Sequence, residues 1–144
     1  VSSPSTVLVV AVHSGTRQAL HHALSLALMG CVDGSRVAVA LFYDGLAAWQ
    51  REATGIGAGF GAGESAEALR EGFARLGHGD DVGQLLDECR SVGGDQFRVV
   101  ACGGSVEALG MAVDDVVANA RWYDDVVGLP TIWRWAGRGR LITV

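Results

Sequence analysis

Phe97-Arg98-Val99-Val100-Ala101-Cys102-Gly103-Gly104-Ser105-Val106-Glu107-Ala108-Leu109-Gly110 is the stretch that decides the fold. Its valine-rich opening reads as a strand, Gly103-Gly104 as a tight turn, and the remainder as a helical pattern broken near Gly110-Met111. Cys102 therefore falls at the carboxyl end of a strand, where open α/β folds do their chemistry. Free backbone N–H groups and the positive end of a helix dipole favour thiolate over thiol at such a position, so a nucleophilic, solvent-reachable sulfur is expected there. The competing reading is a small apolar residue packed against the sheet, because free cysteine is among the most buried residue types.

Working outward, the pattern repeats. Val7 to Val12 is continuously apolar, as a strand buried on both faces of a parallel sheet must be. His13-Ser14-Gly15-Thr16 supplies a turn and a helix-capping residue. Gln18 to Met29 then carries an apolar stripe (Ala19, Leu20, Ala23, Leu24, Ala27, Leu28) that Gly30 to Gly34 is expected to stop. Arg36 to Phe42 is a second strand, separated from the first by enough chain for a parallel crossover. Tyr43-Asp44-Gly45 turns into a short helix from Leu46 to Arg51, which puts Asp44 on the same rim as Cys102. Five glycines within 55–63 predict a mobile surface loop. Ser65 to Leu76 and Asp81 to Val92 read as helices, the latter placing Cys89 in the core. Asp114 to Asn119 reads as a short helix and Ala120 to Asp124 as a short strand. Asp125 to Ala136 looks helical, with Pro130 tolerable only in a first turn, and Arg140 to Val144 closes as a strand. This alternation predicts a three-layer α/β/α domain with a mainly parallel sheet of about five strands.

Composition narrows the function classes. A chain of 144 residues, 49% of them hydrophobic, fits one domain, with residues 1–6 as a disordered tail and 7–144 as the folded unit. Only 19% of residues are charged and mean hydropathy is positive, which predicts a homo-oligomer, since a small monomer needs a polar skin. Net charge of −5 and the absence of a basic stripe argue against nucleic acid or anionic membrane as partner. All eleven cationic side chains are arginine, which rules out chemistry that depends on a lysine ammonium. Three widely spaced cysteines, Cys31, Cys89 and Cys102, indicate neither a disulfide framework nor a zinc site, and a reducing cytoplasm fits them best. The N-terminal residues carry no signal-peptide pattern, and no run is long enough to span a membrane.

The strand ending His13-Ser14-Gly15, the turn Leu41-Phe42-Tyr43-Asp44-Gly45-Leu46, the block Val99-Val100-Ala101-Cys102-Gly103-Gly104-Ser105 with Gly110, and the closing Val127-Gly128-Leu129 to Leu141-Ile142-Thr143-Val144 together resemble the DsrE/DsrF/DsrH-like family of sulfur-handling proteins. The likeness spans nearly the whole chain. It implies a flavodoxin-like parallel sheet, homo- or hetero-oligomeric assembly, and persulfide sulfur carried on the cysteine at position 102. It also implies exchange with a small sulfur carrier of the TusA type; no cofactor is expected. The glycine-rich segment 55–63 and the tryptophans Trp122, Trp133 and Trp135 depart from that family pattern.

A persulfide relay needs a thiolate, donors for the developing charge on sulfur, and access for a partner's sulfur. The N–H groups of Gly103, Gly104 and Ser105 are candidates for an anion nest, although Ser105 equally suits a helix cap. His13, Ser14 and Asp44 end neighbouring strands and are candidates for orienting a thiol or ligand, against the plainer reading of turn residues. His21 and His22 point about 100° apart on a helix and make no metal pair. Two other functions stay open. Ser14-Gly15-Thr16-Arg17 at a helix start suits a flavin- or nucleotide-binding module, and an inert cysteine suits a non-catalytic oligomeric adaptor.

Overall fold

The computed structural model describes residues 6–55, 65–75 and 82–144. The glycine-rich segment is outside them except for Gly55, as are residues 1–5 of the expected tail. Thr6 is tied to the sheet, its carbonyl accepting the Arg36 N–H at 2.9 Å.

Five parallel strands form one sheet in the order β4-β3-β2-β1-β5: β1 (Val7–Val12), β2 (Arg36–Leu41), β3 (Phe97–Cys102), β4 (Asp125–Val127) and β5 (Gly139–Thr143). Seven α-helices are described between them: α1 (Arg17–Val32), α2 (Tyr43–Ala53), α3 (Ala66–Arg75), α4 (Val82–Gly93), α5 (Gly103–Ala108), α6 (Val113–Ala118) and α7 (Leu129–Ala136). The architecture is the three-layer, flavodoxin-like α/β/α fold expected.

The strand order fixes the layers. From β1 to β4 the chain steps across the sheet in one direction, and right-handed crossovers put every helix of those steps on the same face. The return from β4 to β5 runs the other way and puts α7 alone on the opposite face. The core divides accordingly. A large cluster joins Val10, Val12, Val39 and Leu41 of the strands to Leu20 and Leu24 of α1, Trp49 of α2, Leu86 and Cys89 of α4, Val106 of α5 and Val116 of α6. A small one contains Val9, Ala40, Val100, Cys102 and Ile132 of α7.

Several boundaries differ from the sequence expectation for identifiable reasons. Helix α1 runs through Gly30 to Val32 because Gly30 is a packing residue: a Cβ there would meet Leu8 Cδ2 at 2.8 Å and Val37 Cγ2 at 2.9 Å. The chain turns only at Gly34, whose φ is +81°. The segment expected to be a strand at Ala120 to Asp124 is instead a turn that buries Trp122 and Tyr123, and the strand follows at Asp125–Val127. Asp124 stands in for an extra strand residue, its N–H donating to the Val99 carbonyl at 2.8 Å and its Oδ2 accepting the Val99 N–H at 2.7 Å. The expected helix from Asp125 is shortened to α7, with Pro130 in its first turn.

Candidate functional site

Three turns meet where β1, β2 and β3 end. Between β1 and α1, the Thr16 Oγ1 accepts the Ala19 N–H at 3.1 Å, so Thr16 caps the helix. Between β2 and α2, the Gly45 N–H donates to the His13 carbonyl at 3.2 Å, and a Cβ on Gly45 would strike the Val12 carbonyl oxygen. Gly15 packs on Asp44 less tightly, where a Cβ would stand 3.0 Å from Asp44 Cβ. Glycine at position 45 above all lets these turns nest, and the nesting brings His13, Ser14 and Asp44 together, with His13 and Asp44 exposed.

The third turn is joined by Ser105. Its Oγ accepts the Tyr43 backbone N–H at 3.1 Å, and no side chain caps α5. Ser105 is 1% exposed, so this bond is held away from water. Its role is thus neither helix cap nor sulfur ligand but a tether between α5 and the β2–α2 turn. The residue it tethers is the structural surprise of the rim: Tyr43 has φ +47°, the one non-glycine residue described with positive φ, and its side chain is 64% exposed. Backbone strain of this kind needs surrounding structure to hold it. Sequence reasoning passed over Tyr43, because the Asp44-Gly45 pair beside it carries the residue types that usually take such a conformation.

Cys102 ends β3 with extended backbone and occupies the N-cap position of α5. A Cβ built on Gly104 would stand 4.0 Å from its sulfur, so the thiol lies against the first turn of α5, as expected. Its exposure is 7%, however, and it belongs to the small cluster with Val9, Ala40, Val100 and Ile132. The sulfur therefore points to the α7 face, with Phe42 and Val127 also packed against that cluster. Among the described residues no side chain hydrogen-bonds to it, those of His13 and Asp44 included. Sequence reasoning missed the cover, Ile132, because it depends on which face receives α7.

The other two thiols are core groups. Burial pushes the Cys31 thiol up and the Cys89 thiol up to about 12, the latter also through Cys31 and Glu88 and against Arg90. Cys89 donates to the Leu24 carbonyl at 3.4 Å. Burial likewise raises the Tyr123 phenol, which donates to Gln50 Oε1 at 2.6 Å. The Ser14-Gly15-Thr16-Arg17 segment is engaged within the fold: Thr16 in its cap, Gly15 against Asp44, and Arg17 Nε with Glu52 Oε1 at 2.9 Å. Of the three tryptophans outside α2, Trp122 is core, stacking edge-on to Trp49 at 5.5 Å, Trp135 is half-buried, and Trp133 is 72% exposed. Among the described residues no three metal-ligating side chains converge, and no helix is long and apolar enough to cross a membrane.

No known family model matches this chain, and no curated protein does.

Proposed function

We propose that this protein is a DsrE-like sulfur carrier, a sulfurtransferase-like relay that holds sulfane sulfur on Cys102. The observation that carries the proposal is the placement of Cys102 at the carboxyl end of a central parallel strand, against a helix start whose first two residues are glycine. There the backbone N–H groups of Gly103 and Gly104 carry no side chain of their own, and a Cβ on Gly104 would stand 4.0 Å from Sγ. The likeness of the blocks around Cys102 to that family supports the same reading.

In the proposed cycle the Cys102 thiolate attacks the terminal sulfur of a donor persulfide. The donor's S–S bond breaks, the donor departs as a thiolate, and Cys102 keeps the sulfur as a persulfide without net oxidation or reduction. An acceptor thiolate, for example on a small TusA-like carrier in the cytoplasm, then attacks that outer sulfur and regenerates the Cys102 thiolate. The apolar cover over the sulfur requires α7 or the Phe42 turn to yield before either step, and the same cover shields a stored persulfide from water and stray thiols.

Assembly into a homo-oligomer belongs to this proposal. Leu129 and Trp133 lie four residues apart on α7, 57% and 72% exposed, and Leu141 on the edge strand β5 is 48% exposed. A second copy covering them would remove apolar area that a small chain with so little charge otherwise leaves in water.

The direct test is intact and peptide mass spectrometry after incubation with polysulfide. A gain of about 32 Da, one sulfur, is expected on Cys102 and absent from Cys31 and Cys89. A chain that takes up no sulfur, or takes it up equally after Cys102→Ser, overturns the proposal.

A further inference from the structure

The strands facing α7 carry an unusual residue choice at their amino ends. Parallel sheets are buried on both faces and normally present apolar side chains to both. Here the register aligns Val7 with Arg36 and Ala38 with Arg98, so two arginines occupy sheet-face positions on adjacent strands. Helix α7 explains why they fit. Its eight residues span only about 12 Å at 1.5 Å per residue, and it packs on β1 and β5, leaving the amino ends of β2 and β3 uncovered. Into that space open a groove of about 230 Å³ and a third arginine, Arg138, just beyond α7, with the indole of Trp135 forming one wall.

What sets this groove apart is that it gathers three arginines. Arg17, Arg70, Arg90 and Arg121 each meet a carboxylate elsewhere in the molecule, and Arg51, Arg75, Arg134 and Arg140, which meet none among the described residues, do not line the groove. Among the described residues, Arg36, Arg98 and Arg138 meet none within ion-pair distance. Asp95 also lines the groove, so three guanidinium groups face one carboxylate in a protein whose net charge is −5. Arg36, Arg98 and Arg138 are exposed, so water screens part of their mutual repulsion, and a polyvalent anion seated among them would relieve the remainder. The planar forks of arginine match the geometry of phosphate oxygens, which they bind in bidentate fashion.

The geometry points to an anion site in this groove for a pyrophosphate-type group, bound by Arg36, Arg98 and Arg138 beside Trp135. The site is separate from Cys102: Arg98 and Cys102 share β3, four residues or about 13 Å apart. It does not depend on the sulfur-relay reading, and either can fail without the other.

The test titrates the full chain with inorganic pyrophosphate at fixed ionic strength, reading tryptophan fluorescence and thermal midpoint. Saturable binding is expected, about tenfold weaker in Arg98→Gln and in Arg138→Gln, unchanged in Arg70→Gln on α3, and weakened by added salt. Arg138 lies outside the sheet, so its substitution keeps the test decisive even if Arg98→Gln disturbs the fold. Adenosine diphosphate run in parallel identifies the source of the group: tighter binding than pyrophosphate, abolished by Trp135→Leu, marks a nucleotide, and equal binding marks the bare anion. Absence of saturation at millimolar pyrophosphate, or a response that the two groove variants share undiminished with Arg70→Gln, overturns the site.

Discussion

Removing one oxygen, in Ser105→Ala, tests how the rim is held together. The hydroxyl accepts the Tyr43 N–H at 3.1 Å from a position 1% exposed, and it holds a tyrosine at φ +47°. Alanine keeps the volume close to constant and the helix propensity of α5 intact, so the lost acceptor dominates. Leaving a partly buried N–H without its partner costs about 1–3 kcal/mol. The strain at Tyr43, of order 1–2 kcal/mol for a non-glycine residue in the left-handed region, loses a restraint at the same time and gives some of that back as the turn relaxes. The expected net loss is about 1–2 kcal/mol, which for a chain of this length lowers the thermal midpoint by roughly 3–8 °C. Urea denaturation gives the free energy, and amide exchange gives the location: the Tyr43 N–H should be protected in the parent and lose that protection selectively in the variant. A stability change under about 0.5 kcal/mol, or unchanged protection at Tyr43, would refute the assignment of Ser105 as a tether.

Two further outcomes follow from the burial pattern. Cys89 has its thiol raised to about 12 from an ordinary value of 9.0, so the folded state holds a proton that the unfolded chain releases between those values. Its contribution is therefore complete below pH 9 and declines as pH rises toward 12; Cys89→Ala should flatten the alkaline loss of stability by up to about 1.4 kcal/mol per pH unit, measured by urea denaturation at pH 8, 9 and 10. Trp133→Glu places a charge on the exposed apolar patch of α7, and light scattering after size exclusion should show a smaller particle than the parent with unchanged circular dichroism; an unchanged mass would remove α7 from the proposed subunit interface.

The parts of this fold legible in the sequence are those where a single local signal dominates. β1 and β3 begin and end where the valine-rich runs do, since a strand buried on both faces leaves little room for any other composition. α2 begins three residues before its expected start because Tyr43 accepts a backbone conformation that the sequence assigns to Asp44 or Gly45. Gly30 looks like a helix stop until the sheet is placed beside it, and then it is the residue that lets α1 lie close to Leu8 and Val37. β4 moved because an aspartate side chain, a residue poor in strands, bonds to Val99 as backbone would. At the site, local pattern placed Cys102 at a strand end and helix start. It could not place α7 over the sulfur, because that depends on the single reversed step of the strand order.

That reversed step also ties the two ends of one sheet face to one short helix. Ile132 packs in the cluster that encloses the Cys102 sulfur, while Trp135, three residues on, walls the arginine groove, and Arg138 lies three residues beyond that. A helix of eight residues has little stability of its own, so its position rests on tertiary contacts, and among its side chains only Ile132 is fully enclosed. Elements held by so few buried contacts open at lower free energy than the body of a domain. In the proposed relay, access to Cys102 would depend on how firmly α7 is seated on β1 and β5, together with the Phe42 turn that packs on the same cluster. The opposite face, where α1, α2 and α4 bury the larger cluster, is free to stay closed throughout. A sheet covered heavily on one side and by a single short helix on the other encloses this sulfur, and under the proposed relay would have to release it without disturbing its main core.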